Sequence, residues 1–299
     1  MSAEIFAIIA PVLICAGIGF GWVKLKVPYD TGFVTNLATT LGAPALIFST
    51  LIGQAEGVSG LIDRMADMAL ASIAAIGAML AVGAIVLYAL RLPFSSYLPS
   101  LAFSNSGNMG LPLCLFAFGQ EGLALAIAYF AVAAILNFTV GVALASGTWS
   151  VGRLLRTPII WAVAASVAVI ATGTDLPLWA TRTIGLVGQV TIPLMLITLG
   201  VSLASLGLRN LPRSVLLALL RLVIGFGVGL AIAWAFDLGY REGGVLIIET
   251  TMPVAVFNYL FAQRYARAPE DVAGMVLIST IVSFASLPLL LAYVLERAG

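Results

Sequence analysis

Charged residues are scarce in this 299-residue chain, at 9% of the sequence. A soluble domain carries roughly 25%. Hydrophobic residues make up 62%, and the mean hydropathy is +1.13. So few charges cannot cover a water-exposed surface, and the chain is therefore predicted to lie in lipid. With a formal net charge of +1 and no basic run, nothing in the sequence indicates a nucleic-acid partner.

Histidine is absent altogether, which excludes histidine metal sites, histidine general bases and Ser-His-Asp triads. No paired-carboxylate or nucleophile–base motif takes their place, so we do not expect an enzyme. The two cysteines, Cys15 and Cys114, both lie in apolar runs and are interpreted as packing residues. No cofactor is predicted apart from a coupling sodium ion or proton.

Long apolar runs dominate what is present, and a membrane-spanning helix needs about 20 mostly apolar residues. Ten candidate spans cover residues 4–23, 34–53, 68–90, 96–118, 122–146, 158–174, 183–205, 213–236, 242–262 and 272–295. The sequence therefore predicts an all-α polytopic membrane protein with ten transmembrane helices.

Lysine and arginine are unevenly distributed between the loops, and cytoplasmic loops carry an excess of both. Loops after odd-numbered spans hold Lys24, Lys26, Arg91, Arg153, Arg156, Arg209, Arg213, Arg264 and Arg267. The opposite side holds Arg64, Arg182, Arg241 and Arg297. We therefore expect a multi-pass protein of the inner (plasma) membrane with both termini outside.

Prolines recur at matching places in the two halves of the chain. Pro44 in span 2 corresponds to Pro193 in span 7, and Pro112 in span 4 corresponds to Pro253 in span 9. Because each half contains five spans, an odd number, the second half must enter the membrane with the opposite orientation. Inverted repeats with interrupted helices at matching positions are typical of secondary transporters. Pro44 and Pro193 are either plain kinks or part of a cavity wall.

Two polar stretches interrupt spans 4 and 9: S-N-S-G-N-M-G-L-P-L-C at 104–114 and E-T-T-M-P at 249–253. Backbone groups left without partners cost several kcal/mol each in lipid, so both breaks should lie inside the bundle. If the breaks cross, the half-helices that begin near Pro112 and Pro253 direct their positive N-terminal ends at one point, where an anion could bind. Carbonyls that end the preceding halves would suit a cation.

Glu249 is the most informative single residue, because an acidic group deep in a span indicates function by default. It could ligate sodium, carry a coupling proton or pair with a buried donor. Asn105 and Asn108 flank the first break and are either interhelical hydrogen-bonding residues or ligand contacts. Asn258 and Asn137 leave the same two choices open.

Other candidates are less distinctive. Those assigned to substrate binding beside the breaks are Gly110, Pro112, Thr251 and Pro253, and those assigned to the coupling ion with Glu249 are Ser106 and Thr250. Arg221, about a third of the way into span 8, is interpreted as snorkelling to the interface rather than pairing with an acid.

The break sequences resemble those of the auxin efflux carrier family. N-S-G-N-M-G-L-P-L at 105–113 is similar to its asparagine–glycine–proline signature. M-P-V-A-V-F-N-Y-L-F-A-Q-R-Y at 252–265 resembles its penultimate span, and Leu287-Pro288-Leu289 fits the end of its last span. The short connection from Ser146 to Thr157 is similar to that of bacterial members. The resemblance covers essentially the whole chain.

This resemblance implies two inverted five-helix repeats, residues 1–150 and 151–299, with crossed broken helices 4 and 9. It implies a scaffold domain of spans 1, 2, 6 and 7, which could form a homodimer, and a moving transport domain of spans 3–5 and 8–10. The family's crossover positions fall here on Asn108, Pro112 and Pro253.

The implied substrates are small organic anions, either mono- or dicarboxylates or auxin-like compounds, bound near the crossover and moved by elevator-type alternating access. Phe48 and Ile197, one turn past the prolines of spans 2 and 7, are expected to form an apolar wall on the scaffold side. Bile acid:sodium symporters share the architecture and have a sodium-ligating Glu-x-x-Met-Gln cluster. Here Glu249-x-x-Met252 is followed by Pro253, so sodium coupling stays open.

A sodium-coupled carrier of the bile acid symporter type and a channel remain the alternative functions, since broken helices also line channel filters.

Overall fold

The computed structural model describes residues 2–55, 60–149, 158–206 and 210–296, which form helices and no extended strand. The α-helices are α1 Ser2–Lys24, α2 Thr31–Leu37, α3 Ala43–Ala55, α4 Leu61–Ala89, α5 Phe94–Ala102, α6 Leu111–Leu136, α7 Val142–Ser146, α8 Pro158–Thr172, α9 Leu178–Ser205, α10 Leu211–Ala235, α11 Tyr240–Thr251, α12 Val256–Arg264 and α13 Pro269–Glu296. Three π-helical segments join consecutive helices: π1 Ala38–Gly42, π2 Ser106–Gly110 and π3 Asn137–Gly141.

Seven helical stretches within the described residues are long and apolar enough to cross a membrane. They are Ile5–Lys24, Thr31–Gly53, Asp63–Ala89, Ser106–Ser146, Leu178–Ser205, Leu211–Ala235 and Pro269–Glu296. The all-helical, multi-pass membrane character of the chain is thereby confirmed. The ten-span inverted arrangement stays a prediction, because α8 has only 15 residues and predicted spans 4 and 9 are interrupted. Of the loop charges used for orientation, Arg153, Arg156, Arg209 and Arg297 lie outside the described residues.

The longest of these stretches is divided by Gly119, whose φ of 69° lies in the left-handed region that favours glycine. The helical dihedral angles stop at this residue and resume after it. The sequence therefore separates predicted spans 4 and 5 at the position expected from the apolar pattern.

Helices α1 and α9 pack closely because both carry glycine at the contact. Gly19 lies against the carbonyl of Ile197, and Gly200 lies against the carbonyl of Ala16. A methyl group at either glycine would overlap these backbone atoms. Small residues that let two backbones approach are the usual basis of helix association in lipid.

The same device joins α10 to α11. Gly225 contacts the carbonyl of Thr250, and Gly229 contacts the hydroxyl of Thr250. The glycine-rich run 225–229 is therefore a helix-packing face, as its spacing predicts. Thr250 comes just before the break in span 9, so this contact fixes where α11 ends relative to α10.

Candidate functional site

The breaks in spans 4 and 9 cross and pair with each other. Ser104 and Val254 form an isolated antiparallel bridge. The amide of Asn105 donates to the carbonyl of Pro253 at 2.8 Å, and the amide of Ala255 donates to the carbonyl of Phe103 at 3.3 Å. Each break thus provides hydrogen-bond partners for backbone groups of the other, which lipid could not do.

The register of the first break differs from the prediction. The paired positions, 104 and 254, lie 150 residues apart, so Phe103 and not Pro112 is the counterpart of Pro253. Pro112 lies in the first turn of α6, which continues directly from π2. Helical structure runs from π2 through Pro112 without interruption, so this proline does not mark the break. The assignment of the first crossover to Pro112 was wrong by about two and a half helical turns.

Asn258 holds the end of α5. Its Nδ2 donates to the carbonyl of Pro99 at 3.1 Å and to the carbonyl of Phe103 at 3.2 Å. The side chain is buried outside the main cavity described below, so the structure assigns its amide to the break.

Two further groups satisfy the backbone freed by the second break. The amide of Val254 has no acceptor within a helix and donates instead to Ser279 Oγ at 3.0 Å. The carbonyl of Thr250, which an uninterrupted helix would pair with that amide, accepts from Arg221 Nη2 at 2.9 Å. Arg221 is 0% exposed, so the expectation that it snorkels was wrong. Its guanidinium is directed into the protein, toward the end of α11.

A cavity of about 330 Å³ lies against the crossed breaks. Its residues come from six parts of the chain. These are the end of α2 with π1, the first break with π2, the end of α6 with π3, the start of α8, the middle of α9, and the start of α12. The lining residues are Thr35, Ala38, Thr39, Thr40, Phe103, Ser104, Asn105, Ser106, Gly107, Asn108, Phe130, Ala133, Ala134, Asn137, Phe138, Pro158, Ile159, Met195, Thr198, Ala255 and Phe257.

Two half-helix N-termini face this cavity. The first helical segment after the break begins at Ser106, and the second begins at Val256, between cavity residues Ala255 and Phe257. The first amides of a helix have no partner within it and carry its positive end. The half-helices were predicted to begin near Pro112 and Pro253, whereas the helical segments after the two breaks begin at Ser106 and Val256.

Three asparagines line the cavity as well. Asn105 and Asn137 are buried, and Asn108 is half-buried. Asn105 Nδ2 and Asn137 Oδ1 have no hydrogen-bond partner in the protein. A buried polar atom without a partner carries a free-energy cost that a bound ligand or water would remove.

A second cavity of about 230 Å³ adjoins the first and shares Asn108, Thr198, Thr35 and Phe257 with it. It extends to Thr31 at the start of α2, Ser205 and Leu206 at the end of α9, and Tyr259 and Leu260 in α12. Lys24, Lys26 and Arg264 belong to this side of the protein, because α1 ends and α12 ends there. The main cavity therefore extends toward the more basic face.

Glu249 lies outside both cavities, in the interior of the helices behind π2. It is 0% exposed, its Oε1 accepts from Cys114 Sγ at 3.8 Å, and its Oε2 has no partner. Gly110 lies directly against its carboxylate, so that a Cβ at this position would overlap it. The structure thus brings Gly110 to Glu249 and not to the cavity.

Among the other predicted site residues, some line the cavity and some lie outside it. Ser106 lines the cavity, although its predicted role was in the ion site. Thr250 and Thr251 lie at the end of α11, and their hydroxyls donate to carbonyls one turn earlier. Pro253 contributes its carbonyl to the crossing. Phe48 is half-buried on α3 and does not line the cavity.

Several cavity residues carried no signal in the sequence. From the helices of the predicted scaffold, the cavity is lined by Thr39 and Thr40 of π1 and by Met195 and Thr198 of α9, instead of Phe48 and Ile197. A π-helical segment adds one residue to a turn and so changes which side chains face inward. Phe257 was detectable in principle, because it lies two residues after the extended break.

Two curated relatives are similar over part of the chain. An uncharacterized transporter of Methanothermobacter thermautotrophicus is 29% identical over 195 residues, which is 63% of this chain and 64% of the relative. An uncharacterized transporter of Methanocaldococcus jannaschii is 24% identical over 190 residues, 60% of this chain and 61% of the relative. The similarity thus spans less than two thirds of either relative.

A family model described as a membrane transport protein matches residues 144–291, which include the second break, α8 to α12 and most of α13. The chain belongs to the auxin efflux carrier family. The predicted family resemblance is confirmed.

Proposed function

We propose that this auxin efflux carrier family protein carries small organic monoanions with an apolar body, and that the carboxylate binds where the two half-helix N-termini meet. The observation that supports this most directly is the unpartnered Nδ2 of the buried Asn105, a residue that lines the cavity beside the helix starts at Ser106 and Val256. A carboxylate oxygen would accept from that amide and from free backbone amides.

The charge of the cavity favours one carboxylate over two. Its lining, within the described residues, contains no Lys, Arg, Asp or Glu. Each helix N-terminus is equivalent to roughly +0.5 of a charge, so the two together offset about one negative charge. Four phenylalanines, Phe103, Phe130, Phe138 and Phe257, give the rest of the cavity an apolar character. Its volume is at the small end of ligand pockets, which run from about 300 to 1,000 Å³.

Transport by an elevator movement is part of the proposal, and the packing of the helices supports it. On one face Glu121, at the start of predicted span 5, pairs with Arg64 of α4 and Arg241 of α11, and Arg64 also pairs with Glu242. All four residues belong to the predicted transport domain. The charges therefore hold three of its helices together.

A second cluster does the same at the other face. Tyr97 of α5 donates to Asp271 Oδ2 of α13 at 2.5 Å, and Arg213 of α10 pairs with the same oxygen at 3.2 Å. The main cavity lies between this group of helices and the group formed by α1, α2, α3, α8 and α9. Movement of one group against the other would expose the cavity to each side in turn.

Glu249 is proposed to carry a coupling proton. Its carboxylate is buried, and its described contacts are a thiol and a glycine instead of a shell of oxygens, which a hard cation such as sodium prefers. A proton needs only the unpartnered Oε2.

Uptake into proteoliposomes tests the proposed function. Purified protein would be reconstituted and given labelled phenylacetate or labelled malonate, with pH or sodium gradients imposed separately. We expect saturable uptake of phenylacetate in preference to malonate, and faster uptake with a pH gradient than with a sodium gradient. Asn105→Ala and Asn108→Ala should reduce uptake, whereas Asn36→Ala, on the exposed side of α2 and outside both cavities, should not.

Three results would contradict the proposal. Preference for malonate would contradict the single-carboxylate site, and single-channel currents without counterflow would indicate a channel. If Glu249→Gln left both the rate and the pH dependence of uptake intact, the role of Glu249 in coupling would be wrong.

A further inference from the structure

Arg221 is an uncommon residue to find wholly buried in a membrane protein. Its Nη2 donates to the Thr250 carbonyl and its Nη1 lies 3.4 Å from Met79 Sδ, while Nε has no partner. Among the described residues neither Arg221 nor Glu249 belongs to an ion pair. A neutral donor would satisfy one carbonyl at a lower desolvation cost, so the hydrogen bond alone does not account for the charge.

The crossing explains why a charge is needed. Four helix ends meet there: the N-termini at Ser106 and Val256, and the C-termini of α5 and α11. Each C-terminus is equivalent to roughly −0.5 of a charge, so the two C-termini would cancel the two N-termini. An anion site therefore requires an added positive charge at the carbonyl ends. Arg221 supplies one at the end of α11. At the end of α5 the carbonyl of Pro99 accepts instead from the neutral amide of Asn258.

We propose that Arg221 is a built-in cation of the crossover, which occupies the carbonyl end of α11 where a bound metal cation would otherwise be required. It leaves the two N-termini free to attract the substrate, so that anion binding needs no alkali cation. This inference rests on the proposed function as an anion carrier. Arg221 acts as a positioning residue, because it does not line the cavity.

Tyr129 connects this charge to the cavity. It is fully buried and lies close enough to Arg221 and to Glu249 to interact with both electrostatically. Its hydroxyl lies 3.4 Å from Ser104 Oγ, and Ser104 lines the cavity. Low-dielectric protein therefore separates the guanidinium from the anion site, and such surroundings transmit the field of a charge better than water does.

The test compares two variants that both keep a donor for Thr250. Arg221→Gln removes the charge, and Arg221→Lys keeps it. Phenylacetate binding would be measured by calorimetry and thermal shift on purified protein, in sodium, potassium and choline chloride at equal ionic strength. We expect the wild-type affinity to be the same in all three salts, Arg221→Gln to bind phenylacetate about tenfold or more weakly, and Arg221→Lys to retain most of the affinity.

Each outcome has one meaning. Equal affinity of Arg221→Gln and the wild type, or a wild-type requirement for sodium, would overturn the built-in cation. Should Arg221→Gln fail to fold, the comparison of the three salts and the Lys variant still decides. Absence of phenylacetate binding or uptake by the wild type would instead overturn the proposed function.

Uptake under an imposed membrane potential separates charge from structure. A residue that only stabilises the fold would change the amount of active protein and leave the dependence on potential as it was. If Arg221 moves with the transport domain, Arg221→Gln changes the dependence of phenylacetate uptake on potential, and Arg221→Lys does not. An unchanged dependence in Arg221→Gln would count against the proposal.

Discussion

Gly110 packs directly on the carboxylate of Glu249. The segment that follows the first break therefore touches the end of α11, the helix that precedes the second break. Glycine is required because a Cβ would overlap both carboxylate oxygens. The contact joins the segment that lines the cavity to the interior acid behind it. The Glu249 carboxylate and π2 are thus in van der Waals contact.

Gly110→Ala should destabilise the protein by about 1–3 kcal/mol, the usual cost of overpacking a filled interior. Thermal unfolding in detergent would measure this. Gly77→Ala is the matched control, because a Cβ at Gly77 meets nothing within 4 Å. In the double variant Gly110→Ala, Glu249→Ala part of the loss should be recovered, since the smaller side chain leaves room. Identical unfolding temperatures for the two single glycine variants would contradict the contact.

Gly225→Ala and Gly227→Ala should differ although they lie two residues apart on α10. A Cβ at Gly225 would overlap the carbonyl of Thr250, whereas at Gly227 it meets nothing within 4 Å. Gly225→Ala should therefore separate α10 from α11 and lower the unfolding temperature. Gly227→Ala should leave it equal or slightly higher, because alanine favours the helix. The reverse order would place a different face of α10 against α11.

Asn258→Ala and Asn108→Ala separate stability from binding, although the two asparagines lie 150 residues apart at equivalent places in the two breaks. Loss of the Asn258 hydrogen bonds to Pro99 and Phe103 should cost about 1–3 kcal/mol. Asn108 is half-buried beside both cavities, so its removal should weaken phenylacetate binding with little change in unfolding temperature. An Asn258→Ala protein that unfolds like the wild type would show that the amide does not hold the break.

Glu121→Gln should lower the unfolding temperature by an amount that shrinks as salt is added. Glu121 accepts from Arg64 and from Arg241, and its side chain is 18% exposed, so its charge is partly screened by ions. We expect a loss of about 1 kcal/mol at low ionic strength. Asp63→Asn, an exposed position next to Arg64, provides the control. A loss independent of salt would indicate a packing defect instead of a charge effect.

The sequence was most informative at residues that do not suit a membrane-spanning helix. Asn105 and Asn108 stand out in an apolar span, and Pro253 cannot continue a helix, so both interruptions were predictable from polarity and backbone chemistry. Their register was not. The first break has no proline at its extended residues, and Pro112 lies inside the helical structure that follows the break.

Arg221 shows a second limit. Its depth in span 8 can be read from the sequence, but the direction in which the helix presents it cannot. Only the contacts of Gly225 and Gly229 with Thr250 turn this side of α10 toward α11 and bury the guanidinium. The cavity residues Thr39 and Thr40 were missed for a similar reason, because π1 turns them inward without a sequence signature.

The bridge between Ser104 and Val254 also constrains the order of assembly. The amide of Asn105 finds its acceptor on Pro253, and the carbonyl of Phe103 finds a backbone donor on Ala255. Span 4 is synthesised about 150 residues before these partners exist. During synthesis the backbone groups of its break must therefore be hydrated, or shielded by the insertion machinery, until span 9 is inserted. A chain truncated before Pro253 cannot form either of the two hydrogen bonds of the crossing.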